Sequence, residues 1–502
     1  MAPPAVPASR ITVRNAAPPA ADGDYVLYWC TANRRASWNF ALDRAIEWAM
    51  QLRRPLLVLE ALRADYPWAS ARLHRFVLQG MAANRAAFAG KPVLYRPYVE
   101  PRAGAGKGLL AALARRACVV VGDDWPCFFL PAMTAAAARA IHVRFELVDG
   151  NGMVPLSASS AAFPTAHLFR RFWQKELARE FPAFPRPDPW KGVTLPLAGP
   201  LPATVNSRWP EADESLLTAQ PGALAAFRFR HAVAPAPFAG GAPAARAALL
   251  EFVRQRLPRY ADERSDPDHD AVSGLSPWLH FGHLSAHEVF AEVARREGWK
   301  RGDLGAPNGG SKEGFWQMSA AAEAFLDQLV GWRELGFHFC RHRPDYADFE
   351  SLPDWAKATL RAHALDPRLH TYSLEQFAAA RTHDPVWNAA QRELVATGRM
   401  HNYLRMLWGK KIVEWTQSPQ QAAAFMIELN NRYAVDGRDP NSYSGIFWTL
   451  GRFDRPWAPE RDVFGVIRWM SSANTLKKLR MKAYLARWGG DEGPGKGPFV
   501  RD

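Results

Sequence analysis

Five short, β-rich apolar runs alternate with Ala- and Leu-rich stretches between Tyr25 and Gly150, and this alternation leaves the chain few folds to choose from. The runs are YVLYWC (25–30), PLLVLEA (55–61), PVLYRPY (92–98), CVVVGDD (118–124) and VRFELVD (143–149). Between them lie SWNFALDRAIEWAMQ, SARLHRFVLQGMAANRAAFA, GLLAALARRA and PAMTAAAARAI, each with helical character. Strands that follow one another through helices pair in parallel, so this part predicts a Rossmann-like α/β sheet with helices on both faces. Such sheets hold ligands at the carboxyl ends of their strands. No GxGxxG follows the first strand, which leaves ordinary dinucleotide binding without support.

At 502 residues the chain exceeds what one hydrophobic core sustains, and its texture changes accordingly. Residues 1–23, rich in Ala and Pro, predict a disordered arm, with a transit peptide as the alternative. The α/β domain spans 24–155. Residues 156–235, with FPAFPRPDPW and TLPLAGPLP, predict an interdomain linker. From 236 to 490 helical periodicity dominates, which predicts an all-α domain, and 491–502 form a tail. Within the helical part, REGWKRGDLGAPNGGSKEG (296–314) predicts a surface loop.

Hydrophobic residues make up 48% of the chain, yet no uncharged apolar run approaches the roughly 18 residues that span a bilayer, so no membrane role is expected. Cys30, Cys118, Cys127 and Cys340 show neither metal-ligand spacing nor a disulfide framework, which suits a reducing compartment such as the cytoplasm and gives no metal site. Lys and Arg outnumber Asp and Glu by 63 to 49. The resulting charge of +14 suits a polyanionic partner, and equally a merely basic surface.

Tryptophan is the strongest anomaly, with 20 copies. The segment DPVWNAAQRELVATGRMHNYLRMLWGKKIVEW (384–415) predicts two helices broken near Gly398, carrying Trp387, Trp408 and Trp415. Trp408 and Trp415, seven apart, share a helical face. Two readings stand side by side: an aromatic core stripe, or an oxidisable relay for single electrons beside a redox cofactor. The second of these helices also holds Met400, His401, Asn402, Tyr403 and Arg405 in close succession. Downstream, LNNRYAVDGRDPNSYSGIFW (429–448) clusters Asp436, Arg438, Asp439 and Asn441 around a Gly and a Pro. That cluster is either a capping loop or the lining of a polar ring such as isoalloxazine, with Arg405 and Asp436 as a buried ion pair.

Five strings resemble the class II cyclobutane pyrimidine dimer photolyases of the photolyase/cryptochrome family, in order along the chain. They are SGLSPWLHFGHLSAHEV (273–289), LPDWAKATLRAHALDPR (352–368), THDPVWNAAQ (382–391), RMHNYLRMLWGKKIVEW (399–415) and LNNRYAVDGRDPNSY (429–443). The resemblance implies light-driven repair of UV-damaged DNA by electron transfer from reduced FAD. It implies an FAD-binding helical domain, and allows an antenna chromophore such as a deazaflavin, held by the α/β domain in the cleft between the two domains. Trp408 then resembles the tryptophan nearest the flavin, Trp387 the middle relay and Trp415 the terminal, more exposed donor. Asn430 resembles the residue facing flavin N5. Tyr260, Val272, Ser273, Gly274, Leu275, Arg405, Asp436, Arg438 and Asp439 resemble the other cofactor contacts. For the flipped lesion the matching positions are Arg264, Ser265, Gln328, Trp332, Tyr403, Met406 and Trp448. Asp454, Arg455, Trp457 and Arg468 match the element that enters the opened DNA.

The chain departs from the family at three places. Gln328 stands where a glutamate is usual, Ser265 where an asparagine is usual, and SYSGIFWTLGRF (442–453) differs in sequence. The expected protein is a cytoplasmic or nucleoid-associated monomer. Rival readings are a cryptochrome-like blue-light receptor, a (6-4) photolyase on the same scaffold, and a nucleotide-binding module without catalysis.

Overall fold

A computed structural model describes residues 6–220, 222–225, 227–229 and 231–490. The chain divides into two compact units. The first comprises Met1–Ser159, Arg179–Leu250 and Leu275–Arg296, and the second Ser160–Ala178, Glu251–Gly274 and Glu297–Asp502.

The first unit is built on a six-stranded sheet of β1 (Ile11–Val13), β2 (Tyr25–Cys30), β3 (Leu56–Leu62), β4 (Leu94–Val99), β5 (Ala117–Asp123) and β6 (Arg144–Val148). Its order is β1-β6-β5-β2-β3-β4, and every pair is parallel except β1 with β6. Strand order reverses between β2 and β5, the position where such sheets bind ligands. The intervening helices are α1 (Phe40–Leu52), α2 (Ala71–Phe88), α3 (Leu109–Ala114) and α4 (Leu130–Ala140). All five expected strands and four expected helices are present, because a strand apolar at every position must be covered on both faces. β2 and β5 are buried along their whole length.

The structure departs from three expectations. Residues 6–23 are not a disordered arm: Ala8–Arg10 forms a helical turn and β1 adds an antiparallel edge to β6. Arg10 is buried and donates to the carbonyls of Asp149, Gly152 and Met153, an anchor the Ala- and Pro-rich text conceals. Residues 1–5 and the tail 491–502 lie outside the described residues. Nor is 156–235 a free linker, since it contains a helix at Ala166–Arg179 and the buried indoles of Trp173, Trp190 and Trp209. The units also interleave in sequence, so the boundary near 236 is replaced by the division above.

The second unit is helical. Its elements used below are α5 (Arg333–His342), α6 (Asp354–Ala362), α7 (Pro385–Thr397), α8 (Asn402–Glu414), α9 (Pro419–Tyr433) and α10 (Pro440–Thr449). A π-helical turn, Asp327–Trp332, leads directly into α5. Local signals set these boundaries. Asp384, Ser418 and Asp439 cap the starts of α7, α9 and α10, each followed by Pro, and Gly398 ends α7 at φ 75°. The core of this unit gathers Trp387, Trp408 and Trp415 with apolar residues from α6 to α10. Among the described residues no helix is long and apolar enough to cross a membrane.

Candidate active site

Trp387 is the centre of an indole chain. It is fully buried and stacks on Trp408 with ring centroids 6.5 Å apart and planes 5° apart, while Trp415 meets it edge-on at 6.1 Å and 67°. Hydrogen bonds hold the rings: Trp387 Nε1 donates to the Trp408 carbonyl at 3.0 Å, and Trp408 Nε1 donates to Gln391 Oε1 at 2.9 Å. Gln391, four residues after Trp387 on α7, faces the same side of the helix, and its sequence context gives no sign of this role because an amide carries no redox chemistry.

Trp415 is not the more exposed donor that the resemblance implies, since only 2% of it is exposed against 3% of Trp408. It ends α8 and is covered by Tyr372, at 5.6 Å, and by His383, at 5.0 Å. The Tyr372 hydroxyl lies 2.6 Å from His383 Nδ1, and His383 is exposed. The row of rings therefore reaches solvent one side chain beyond Trp415. No local pattern marks Tyr372, which reaches Trp415 only through the packing of its loop.

α8 places Tyr403, Arg405 and Met406, all half-buried, one turn before Trp408. Arg405 Nη2 lies 3.6 Å from Asp436 Oδ1, with side chains 28% and 12% exposed, so the expected buried pair is a half-buried one. Asp436 sits in the turn between α9 and α10. Asn431 Oδ1 accepts the Arg438 N–H there at 2.8 Å, and the Arg438 guanidinium donates to the carbonyls of Gly437 and Val435. Asp439 caps α10 through the Asn441 N–H. Asn430 is buried beside this turn and donates to Asn431 Oδ1 at 3.2 Å.

The segment Val272–Gly274 is held by Arg256, which donates to the Val272 carbonyl at 3.2 Å, and Gly274 turns at φ 64° with the Arg399 guanidinium 3.4 Å from where a Cβ would stand. Tyr260 is buried edge-on against the touching pair Phe252 and Phe325, and the Arg264 guanidinium lies 5.5 Å from its ring centroid. Leu275 belongs to the first unit. Both ring nitrogens of His401 and Arg256 Nε are buried without a hydrogen-bond partner in the protein. Burial pushes His401 down to about 4, leaving it neutral, and lowers Arg399 to about 10, leaving it charged. Buried polar atoms require partners. Orphaned donors beside Arg256, Arg399, Arg405 and a backbone turn suit the diphosphate and polar ring of a flavin dinucleotide, so these residues fit FAD.

Trp332 and Trp448 stack on each other at 4.4 Å and 25°. Close packing of α5 on α10 accounts for this, because a Cβ on Gly336 would lie 2.8 Å from Ser444 Oγ. Gln328 stands one turn before Trp332 on the π-helical turn, whose Asp327 is tied to Arg170 at 2.7 Å in a buried ion pair. Beyond α10, the guanidinium groups of Arg455, at 4.5 Å, and Arg468, at 5.0 Å, both lie over the Trp457 ring, whose N–H donates to Asp454 Oδ1. Arg455 and Arg468 are exposed, as are Ser265, Lys477, Lys478, Arg480 and Lys482. Among the described residues no cluster of His, Cys, Asp and Glu could hold a metal ion.

No family model matches the chain. In fold it is similar to a bacterial class III photolyase from Agrobacterium tumefaciens, with a TM-score of 0.62 and 17% identity over 93% of this chain and 86% of that one. It is also similar to the cryptochrome of Synechocystis sp. PCC6803, with a TM-score of 0.61 and 15% identity over 92% and 88%. The architecture is thus that of photolyases and cryptochromes. In sequence it is 33% identical over 497 residues to the deoxyribodipyrimidine photo-lyase of Methanothermobacter thermautotrophicus, spanning 96% of this chain and 98% of that one. It is 33% identical over 490 residues to the enzyme of that name from Oryza sativa subsp. japonica, across 92% and 87%. The chain belongs to the photolyase/cryptochrome family.

Proposed function

We propose that this protein splits cyclobutane pyrimidine dimers in UV-damaged DNA, driven by light and by FAD held in the helical unit. The observation that carries this reading is the unbroken row Trp408, Trp387, Trp415 and Tyr372, which leads from the core to the surface beside residues suited to a flavin. FAD bound there in its reduced form would lend one photo-excited electron to the lesion, whose radical anion gives it back once the dimer has split. The protein's own residues set the conditions. Trp408, on the same helix as Arg405, would pass an electron inward to return an oxidised flavin to its reduced form, and the hydrogen bonds of Trp387 and Trp408 keep their rings in place. Asn430, Arg405 and Asp436 orient the flavin ring, and Tyr260, Ser273 and Gly274 hold its remainder.

Trp332 and Trp448 form an apolar aromatic wall for a lesion turned out of the duplex, whose extrusion costs less than that of an intact pair. Gln328 donates an amide N–H toward a pyrimidine carbonyl. Arg264, Tyr403 and Met406 complete the contacts to the lesion. Arg455, Trp457 and Arg468 meet the opened strands, while the exposed lysines and Arg480 offer phosphate contacts. The protein acts as a cytoplasmic monomer, and the first unit binds an antenna chromophore of the deazaflavin type.

Absorption spectra before and after blue light, followed by illumination with DNA carrying either a cyclobutane dimer or a (6-4) product, test this assignment. Loss of the cyclobutane dimer alone is the expected result. Repair of the (6-4) product alone, or of neither lesion by a flavin-loaded sample, overturns it in favour of a (6-4) photolyase or a cryptochrome-like receptor.

A further inference from the structure

The loop from Asp454 to Arg468 carries the Arg455, Trp457 and Arg468 stack, and a single imidazole grips it. His363, which ends α6, places Nδ1 2.5 Å from Asp366 Oδ2 and Nε2 2.9 Å from Glu460 Oε1. A neutral imidazole has one N–H and one lone pair, so one of these two contacts would set lone pairs against each other. The imidazolium donates at both. Asp366 Oδ2 also accepts the Val463 N–H at 2.8 Å, so the same carboxylate reaches the loop backbone directly. One turn earlier on α6, Thr359 Oγ1 accepts the Val466 N–H at 3.0 Å.

Gly465 completes the contact. At φ 53° its backbone runs against α6, and an added Cβ would collide with Thr359 Oγ1 and lie 2.7 Å from His363 Cδ2. Only glycine fits that approach without strain. Hydrogen bonds to Glu460 and then to Asp366 raise the pKa of His363, against the opposing effect of burial. The charged groups near the clasp have partners of their own. Arg368 donates to the carbonyls of Ala364 and Asp366, Arg361 pairs with Glu350, and Arg461 lies over Trp469.

We propose that His363 is a positioning residue for DNA engagement: as an imidazolium it clasps the 454–468 loop to α6 and to the turn at Asp366, holding Arg455, Trp457 and Arg468 ready for the opened duplex. The DNA part rests on the assignment of that loop above, whereas the clasp stands on its own contacts. A raised pKa fixes the sign. The clasp is closed at pH 6.5 and opens as the pH climbs through the raised value, above the ordinary imidazole value of about 6.5.

The test compares the flavin-loaded full chain with its His363→Phe and Glu460→Gln variants, using flavin content as the measure of intact folding. Histidine NMR on wild type should show one imidazole, absent from His363→Phe, titrating above pH 6.5. Hydrogen exchange at pH 6.5 should be at least tenfold faster over 458–468 in His363→Phe, less so in Glu460→Gln, with 385–449 unchanged. Equal protection in wild type and His363→Phe, or an imidazole titrating at or below 6.5, overturns the clasp. Affinity for a UV-irradiated thymine-rich duplex should fall at least fivefold in His363→Phe at pH 6.5, with the gap closing in alkali. Faster exchange with wild-type affinity would keep the clasp and overturn the assignment of the loop to DNA.

Discussion

The indole N–H of Trp387 donates to the backbone carbonyl of Trp408 while the two rings lie parallel. The orientation of the inner pair is therefore set by backbone packing of α7 against α8 as well as by the stack itself, and a ring replacement at either position leaves the framework in place.

Trp408→Phe should retain FAD but slow photoreduction at least tenfold, because phenylalanine preserves packing and is much harder to oxidise. The lost indole N–H leaves Gln391 Oε1 without its donor in the core, at a cost of about 1–3 kcal/mol in stability. Bleaching of the flavin under blue light with an external reductant is the readout. Wild-type kinetics would reduce Trp408 to a core residue.

Asp436→Asn removes the carboxylate facing Arg405. Since Arg405 keeps partial access to water, folding stability should change by no more than about 1 kcal/mol. FAD affinity should fall roughly tenfold, equivalent to about 1.4 kcal/mol. Equilibrium dialysis against free FAD measures it, and unchanged affinity would place the pair outside the flavin site.

Gln328→Glu should raise the yield of cyclobutane dimer splitting per absorbed photon, because a carboxylic acid can give a proton to the lesion's radical anion where an amide only donates a hydrogen bond. Flavin content should stay constant. A lower yield in the variant would mean that the amide suits the pocket better than an acid does.

Burial pushes Lys410 down to about 7, with Asp454 opposing and Arg468 reinforcing the shift, and among the described residues its ammonium donates only to the Thr449 carbonyl, at 2.6 Å. The unfolded chain holds this proton up to the ordinary lysine value near 10.4, so stability should rise with pH between about 7 and 10. Lys410→Met should be more stable than wild type by roughly 1–3 kcal/mol at pH 6, with the advantage shrinking toward pH 10. Denaturation midpoints at pH 6, 8 and 10 check this, and an advantage independent of pH would show that Lys410 does not titrate in that range.

Much of the site was legible before any fold was known, for definable reasons. Trp387 and Trp408 announce themselves by side-chain type, and the break between their helices by Gly398. The Arg405 and Asp436 partnership was legible as complementary charge, but its half-burial was not, since exposure depends on what the turn at Ala434–Asp439 leaves uncovered. Tyr372, Gln391 and Arg256 escaped notice. Each acts through a neighbour distant in sequence or on another turn of helix, and none breaks the local pattern.

The sequence alone determined the parallel sheet, because apolar runs alternating with helices have one way to bury both faces of their strands. It determined the stops of α7 and the starts of α9 and α10 through Gly398, Ser418 and Asp439, whose effects act within a few residues. Tertiary structure alone decided that β1 would pair with β6, that Trp415 would be covered, that Trp332 would meet Trp448, and that His363 would hold Glu460. Periodicity records which face of an element must be covered, whereas the identity of the covering side chain depends on packing between segments up to about a hundred or more residues apart.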